Sequence, residues 1–415
     1  MTTKRATRLE SSISQSAWRN SRVGIQGLDA ALKRGVRGQR VFVRSDLNVP
    51  LRNGLVADDS RIRASVETLR VLSDAGAKVI VASHLGRPKG KVDPESSLRP
   101  LADCLEQHLG RPVSFVDTCI GPAAQEAVSS IPDGGVLLLE NLRFHDGEEQ
   151  NDPEFSRSLA ELADIYVNDA FGTAHRAHAS TQGMTTYLKD TFAGSLLLSE
   201  LEQLNVVGTP ERPLLCLLGG AKVSDKLAVL EALAPHSDVL AVGGAMAYTF
   251  LASQGQPTGQ SRVEPDRLDD ARRVLEAADA AGRRLLLPVD HLVVEEIHPD
   301  APCRTTQEIP EGWIGVDIGP ATAKLYAEEA QKAATIFWNG PMGIFEMERF
   351  AAGTQTVARG VAESTARSIV GGGDSLAAIN QLDLGKCIGH LSTGGGASLE
   401  YIQGRTLPGV DALDR

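Results

Sequence analysis

The chain has 415 residues and a formal net charge of −11, with 42% hydrophobic and 23% charged residues, enough for about two or three domains with buried cores. A pI near 5.4 argues against a general nucleic-acid or anionic-membrane surface, so any basic cluster is expected to hold a small anion. The five cysteines show neither CxxC nor Cys/His metal spacing, which suits a reducing compartment and use as small buried hydrophobes, and the longest apolar runs fall far below the roughly 18 residues of a membrane span.

In chain order, "MTTKRATRLESSISQSAWRNSR" comes first, rich in Ser, Thr and Arg, with Glu10 its only acid and no apolar core of a secretory signal. A transit peptide, a solvated tail and a mis-set start codon share this composition; residues 1–24 are expected to be a basic, flexible extension outside the fold. From there short apolar runs alternate with polar or glycine-rich breaks and longer amphipathic stretches: "RVFVRS", "AKVIVAS", "GVLLLE", "ADIYVND", "PLLCLLGG", "DVLAVGG", "RRLLLPVD", "ATIFWNGP", "RSIVGGGD" and "GHLSTGGG". Near-continuous apolar strands followed by helices predict parallel sheets covered on both faces. Ligands of such sheets bind beyond the carboxyl ends of the strands.

The breaks there differ between the two halves of the chain. In the first half they carry charge: Asp46 and Asn48 in "SDLNVP", His84 and Arg87 in "SHLGRP", Arg143 in "ENLRFH", and His175, Arg176 and His178 in "FGTAHRAHAST", with Arg61 of "DSRIR" likewise expected at or just beyond a strand end. Arginine is suited to bidentate recognition of phosphate and carboxylate, and the Asp/Asn pair to hydroxyl groups, so a small phosphorylated hydroxy acid or sugar is the expected guest. Each cation taken singly also reads as a solvated loop charge; their recurrence at equivalent strand ends favours a site. In the second half the breaks carry glycine, in "GGAKVSDK", "VGGAM", "WNGPMGIFE", "GGGDS" and "STGGGAS". Glycine lets backbone amides approach an anion at a helix start, Lys222 and Lys226 add cations, and Asp374 offers a magnesium-binding carboxylate. A nucleoside triphosphate fits that set, although GxxxxGK[ST], HRD and DFG do not occur. "GSLLLSELEQLNV" (194–206) predicts a helix joining the halves.

These residues form eight motifs, "RSDLNVP", "SHLGRPKG", "LLLENLRFHDGEE", "NDAFGTAHRAHAST", "LLGGAKVSDK", "FWNGPMGIFE", "IVGGGDS" and "HLSTGGGASLEYIQGRTLPGV". In this order, from about Asp29 to the C-terminus, they strongly resemble phosphoglycerate kinase. The resemblance implies two doubly wound, Rossmann-like α/β lobes: a phosphoglycerate-binding domain at 25–193, an interdomain helix at 194–206, a nucleotide-binding domain at 207–403, and a segment at 404–415 returning to the first lobe. It implies reversible phosphoryl transfer between ATP and the carboxylate of 3-phosphoglycerate, with Mg²⁺, in a cytoplasmic monomer whose lobes close about a hinge and whose partners are these small molecules.

Carried over position by position, the resemblance makes Asp46, Leu47, Asn48, Arg61, His84, Leu85, Gly86, Arg87, Arg143 and Arg176 substrate-binding, with His175 and His178 shaping the loop. Lys226, Gly315, Glu346, Gly372, Gly373, Asp374 and Ser375 become nucleotide-binding, Asp374 through the metal as well, and Arg61 and Lys222 catalytic. Ser45 and Leu47 stand where the family usually has valine and phenylalanine. A catalytically silent phosphate-binding scaffold would be expected to lose at least one of Arg61, Lys222, Lys226 or Asp374, and another carboxylate-phosphorylating transferase would lose the arginines; all are present.

Overall fold

The computed structural model describes residues 24–414, so the extension expected over 1–24 lies, apart from Gly24, outside the described residues. The chain forms two compact units, one of residues up to Glu202 together with those from Arg405 onward, the other of Gln203–Gly404. In the first, β1 (Arg40–Ser45) leads into a small hairpin of β2 (Leu51–Arg52) and β3 (Leu55–Val56), and β4 (Lys78–Ala82), β5 (Val113–Val116), β6 (Val136–Leu139), β7 (Ile165–Asp169) and β8 (Thr191–Ala193) follow. Apart from the hairpin these strands make one sheet in the order β5-β6-β4-β1-β7-β8, parallel throughout.

The second unit repeats the plan with β9 (Leu214–Leu218), β10 (Val239–Val242), β11 (Arg284–Leu286), β15 (Thr335–Asn339), β16 (Arg367–Gly371) and β17 (His390–Ser392). They form a parallel sheet in the order β11-β10-β9-β15-β16-β17. Between β11 and β15 the chain adds an antiparallel sheet of β12 (His291–Val294), β13 (Arg304–Thr306) and β14 (Ile314–Ile318), in the order β13-β12-β14. That sheet was not anticipated, and neither were β5 and β8. β5 is a half-exposed edge strand, so its apolar signal is diluted, and β8 is only 3 residues long.

Packing follows the apolar spacing. The helix Ser60–Asp74 buries Ile62, Val66, Leu69 and Leu72, one stripe at helical spacing, in a core shared with Val43, Val81 and Val167 of the sheet. Leu69 is fully buried, and truncating such a leucine to alanine costs about 2–5 kcal/mol. The connecting helix, expected over 194–206, spans Ser195–Gly208, a difference of the size by which helix ends fray. Its first turn is capped by Asp169 at the end of β7, whose Oδ1 accepts from the amides of Leu196 (2.9 Å) and Leu197 (3.3 Å). A Cβ on Gly194 would meet that carboxylate at 2.1 Å, so only glycine fits there.

From Arg405 the chain packs in the first unit. Asn168 Nδ2 donates to the carbonyl of Gly409 (2.9 Å), and Gly409 N donates to the carbonyl of Ala174 (2.8 Å).

Candidate active site

In each parallel sheet the chain winds outward one way from a central strand and then the other, so neighbouring loops diverge at one place: between β1 and β7 in the first unit, and between β9 and β15 in the second. Such switch points open a crevice at the strand carboxyl ends. Most of the sequence-predicted residues fall around these two places.

In the first unit Asp46, Leu47 and Asn48 follow β1, His84 to Arg87 follow β4, Arg143 lies beyond β6, and Arg176 beyond β7. Hydrogen bonds lock the first three loops together. Leu47 N donates to Ser83 Oγ (2.9 Å), Gly86 N donates to Asn48 Oδ1 (2.9 Å), and Arg143 Nη1 donates to the carbonyl of Gly86 (2.7 Å). Gly86 is thus held at both ends of its peptide, at φ +63°, a conformation that favours glycine. Arg143 is itself almost fully buried, 3.2 Å from Glu149, and burial holds its guanidinium below its usual range. Arg176 is half-buried, its Nε 3.2 Å from Nε2 of His175, and Arg87 is exposed. Arg61 departs from the expected strand-end placement. It occupies the first turn of the helix Ser60–Asp74 and reaches Asp46 Oδ2 from Nη1 at 2.8 Å.

Beneath these groups lies a buried polar network that sequence reasoning missed. Arg44, inside β1 and 1% exposed, donates from Nε to Ser180 Oγ (2.8 Å), and Ser180 Oγ donates to Glu148 Oε1 (2.6 Å). Glu148 also accepts from Ser180 N (3.0 Å). Nη2 of Arg44 lies 3.2 Å from Nδ1 of His84. Burial, then the charges of Arg44, Arg143 and Arg61, push His84 well below the ordinary imidazole range, and burial with the same kind of neighbours lowers His178 to about 3. Both histidines are therefore neutral, and the site's arginines carry its positive charge. The available signal was Arg44 itself, a charge within the apolar run "RVFVRS".

In the second unit Lys226 sits under the switch point. Its Nζ donates to the carbonyls of Gly219, just past β9, and Asn339, at the end of β15 (2.8 Å). An ammonium has three donors, so one remains for a ligand. Burial lowers its pKa to about 8 against the opposing pull of Asp374 and Asp225. A Cβ on Gly340 would meet the Gly219 carbonyl at 2.1 Å and Lys226 Nζ at 2.4 Å, so the ammonium pocket requires glycine there. The turn Gly372–Ser375 opens the helix Gly373–Gln381, with Asp374 exposed in its first turn. Ser375 is buried, its Oγ accepting from Gly340 N (2.6 Å). That bond ties the helix start to the β15 loop.

A cavity of about 310 Å³ opens beside these turns, walled by Gly220, Gly244, Tyr248, Gly315, Glu346 and Asp374 among others. Gly315 lies within β14, where any Cβ would strike the Tyr248 ring. Lys222 is not part of that wall. It is half-buried and faces Glu264, which accepts from Ser224 N (3.2 Å) and Ser224 Oγ (2.6 Å); those bonds and Lys222's charge outweigh burial and keep Glu264 below the usual carboxylate range. Glu264, which fastens the Lys222 loop, carried no motif signal. A roomier cavity of about 470 Å³ lies in the first unit around Arg111, Pro132 and Gly134, at the amino ends of β5 and β6, away from these groups.

A family model described as phosphoglycerate kinase matches residues 32–405. The chain belongs to the phosphoglycerate kinase family. A phosphoglycerate kinase of Moorella thermoacetica is 52% identical over 381 residues, covering 91% of this chain and 97% of the relative. A chloroplastic phosphoglycerate kinase of Arabidopsis thaliana is 51% identical over 386 residues, covering 91% and 80%. The solved phosphoglycerate kinase of Coxiella burnetii superposes with a TM-score of 0.84 at 41% identity, covering 91% of this chain and 97% of that one. The two parallel-sheet units are thus the family's fold. Among the described residues no helix is long and apolar enough to cross a membrane.

Proposed function

We infer that the chain catalyses reversible phosphoryl transfer between ATP and the carboxylate of 3-phosphoglycerate, giving ADP and 1,3-bisphosphoglycerate. The observation that carries this reading is that the family match runs through both the arginine-bearing unit and the glycine-lined unit.

The acceptor carboxylate is ionised at neutral pH, so no general base is needed. Positioning and charge neutralisation remain as the enzyme's task. In this reading Arg143, Arg176 and Arg87 hold the substrate's anionic groups, neutral His84 donates a hydrogen bond, and Asp46 and Asn48 take its hydroxyl, with Leu47, Leu85 and Gly86 shaping the wall. Arg61 faces the transferring phosphoryl. Lys226, the amides of Gly372 and Gly373 and the helix start at Ser375 bind nucleotide phosphates, Glu346 and Gly315 line the nucleoside side, and Lys222 follows the phosphoryl group. The exposed Asp374 carboxylate, a hard oxygen donor in a first helical turn beside this cavity, suits Mg²⁺, which when bound neutralises phosphate charge.

Because donor and acceptor groups lie on separate units, transfer requires the two to approach and exclude water. We assign the enzyme to the cytoplasm as a monomer acting on small molecules, without nucleic-acid or membrane partners; the acidic balance of the chain supports the last point. A coupled assay tests the activity: ATP should form from ADP and 1,3-bisphosphoglycerate with Mg²⁺ present. A folded protein that binds both ligands without forming ATP would instead be a silent scaffold.

A further inference from the structure

Among the described residues, one group of three metal-ligating side chains converges that the site above does not use: Asp59, Cys104 and His108, whose ligand atoms all lie within 4.8 Å of one another. Cys104 and His108 are four residues apart on the helix Arg99–Leu109, which puts both on one face. This i, i+4 pair was not singled out in the sequence, where neither CxxC nor Cys/His metal spacing was found. Asp59 precedes the helix Ser60–Asp74. An aspartate there ordinarily turns its carboxylate onto its own helix's first amides, but Asp59 makes no such bond, and Ser60 N donates instead to Asp58 Oδ1 (2.9 Å).

The Asp59 carboxylate is turned outward, Oδ2 2.8 Å from His108 Nε2 and Oδ1 2.6 Å from Arg63 Nη1. Arg70 Nη2 donates to the His108 carbonyl (2.8 Å), fixing the two helices beside each other. All three ligands are half-buried, and a tetrahedral ion held by three protein ligands would take its fourth from solvent.

We propose that Asp59, Cys104 and His108 form a binding site for a thiophilic divalent cation of the zinc class. One sulfur, one imidazole nitrogen and one carboxylate oxygen with an open fourth position is a donor set suited to tetrahedral Zn²⁺ and poorly suited to Mg²⁺, which prefers oxygen ligands in octahedral array. Metal–ligand distances of about 2.0–2.3 Å require the three side chains to draw inward, with the ion displacing the His108–Asp59 hydrogen bond and the neutral imidazole that coordinates through Nε2 carrying its one proton on Nδ1. The thiolate is the ligand form, so binding releases the Cys104 thiol proton to solvent. Arg63 opposes it by charge.

The test is an anaerobic Co²⁺ titration of the full chain carrying Cys303→Ser and Cys387→Ser, which remove the two exposed thiols. One equivalent should produce a thiolate-to-cobalt band and intensified visible bands of tetrahedral cobalt, displaced by Zn²⁺ but not by millimolar Mg²⁺. Adding Cys104→Ser or His108→Ala should abolish the bands while circular dichroism stays unchanged. Arg63→Ala, which leaves every ligand in place, should tighten binding roughly threefold or more, as expected for removing one half-exposed charge. Absent bands, bands that survive Cys104→Ser, equal displacement by Mg²⁺, or no tightening in Arg63→Ala would each overturn the proposal.

Discussion

Nη2 of Arg44 lies 3.2 Å from Nδ1 of His84, and a guanidinium can only donate, so Nδ1 is the acceptor and the ring's single proton sits on Nε2. In the proposed reading the histidine thereby meets phosphoglycerate as a neutral donor of defined tautomer. Its ionisation lies well below the ordinary imidazole value, through burial first and the Arg44 charge second. The KM for phosphoglycerate should therefore be flat from about pH 5.5 to 8, apart from the substrate's own ionisation. Arg44→Met should raise the histidine's pKa, with burial and the remaining arginines still holding it below the ordinary imidazole value. It should also cost about 3 kcal/mol in denaturant unfolding, because the Ser180–Glu148 pair loses its buried counter-charge. A His84-dependent titration near pH 6.5 in the unaltered enzyme would contradict this tautomer assignment.

Arg61→Ala should fold normally, since the side chain is one-third exposed, yet lose about two to four orders of magnitude in kcat, the range for removing one preorganised charge from a transition state. Asp46, its partner at 2.8 Å, is then left uncompensated, so KM for phosphoglycerate should change as well. Turnover within threefold of normal would remove Arg61 from the chemistry.

Lys226 supports two linked expectations. Lys226→Ala should raise KM for ATP more than KM for phosphoglycerate; equal effects would mean that ligands are not divided between units as proposed. The ammonium is the phosphate-binding form, and with its pKa lowered to about 8 it is discharged as pH rises through that value. KM for ATP should climb above pH 8, and Lys226→Arg should remove the limb because arginine stays charged. Stability of the free protein moves the opposite way. The unfolded lysine keeps its proton to about pH 10.4, so between pH 8 and 10 the unfolded state binds more protons and stability increases with pH.

Cutting the chain before Gly404 removes the partners of Asn168 and Ala174, both beside the loop carrying Arg176, while leaving the β9, β15 and β16 turns intact. Nucleotide affinity, read by calorimetry, should stay within about twofold and turnover should fall by at least tenfold, the signature of losing interactions used on the path to the transition state. Loss of nucleotide binding to the same degree would show that the segment serves the whole protein rather than the first unit.

Much of this arrangement was legible because a parallel sheet places function where composition changes. "SHLGRP" and "GGGDS" interrupt apolar runs, and they are the loops at the carboxyl ends of β4 and β16. What escaped depends on relations that one stretch of sequence does not carry. Arg44 lies inside a strand, and its partners Ser180 and Glu148 are far along the chain. Gly315 was named through family likeness, while the physical reason for glycine there, the Tyr248 ring against β14, comes from an antiparallel sheet of 3- to 5-residue strands. Arg61 was expected at a strand end because the β2–β3 hairpin, with strands of 2 residues each, leaves almost no periodic trace.

The segment from Arg405 onward also constrains how the protein can be made. The ribosome releases residues in order, so when Glu202 emerges the first unit still lacks the strand-end contacts that Gly409 will supply to Asn168 and Ala174. Roughly two hundred further residues must be translated first, about 10–40 s at ordinary elongation speeds. During that interval the second unit can complete its sheet from contiguous sequence, whereas the first waits with its loop beyond β7 uncovered. Nascent-chain proteolysis should therefore find the later-synthesised unit reaching full protection no later than the earlier one, an inversion of the usual N-terminal-first order.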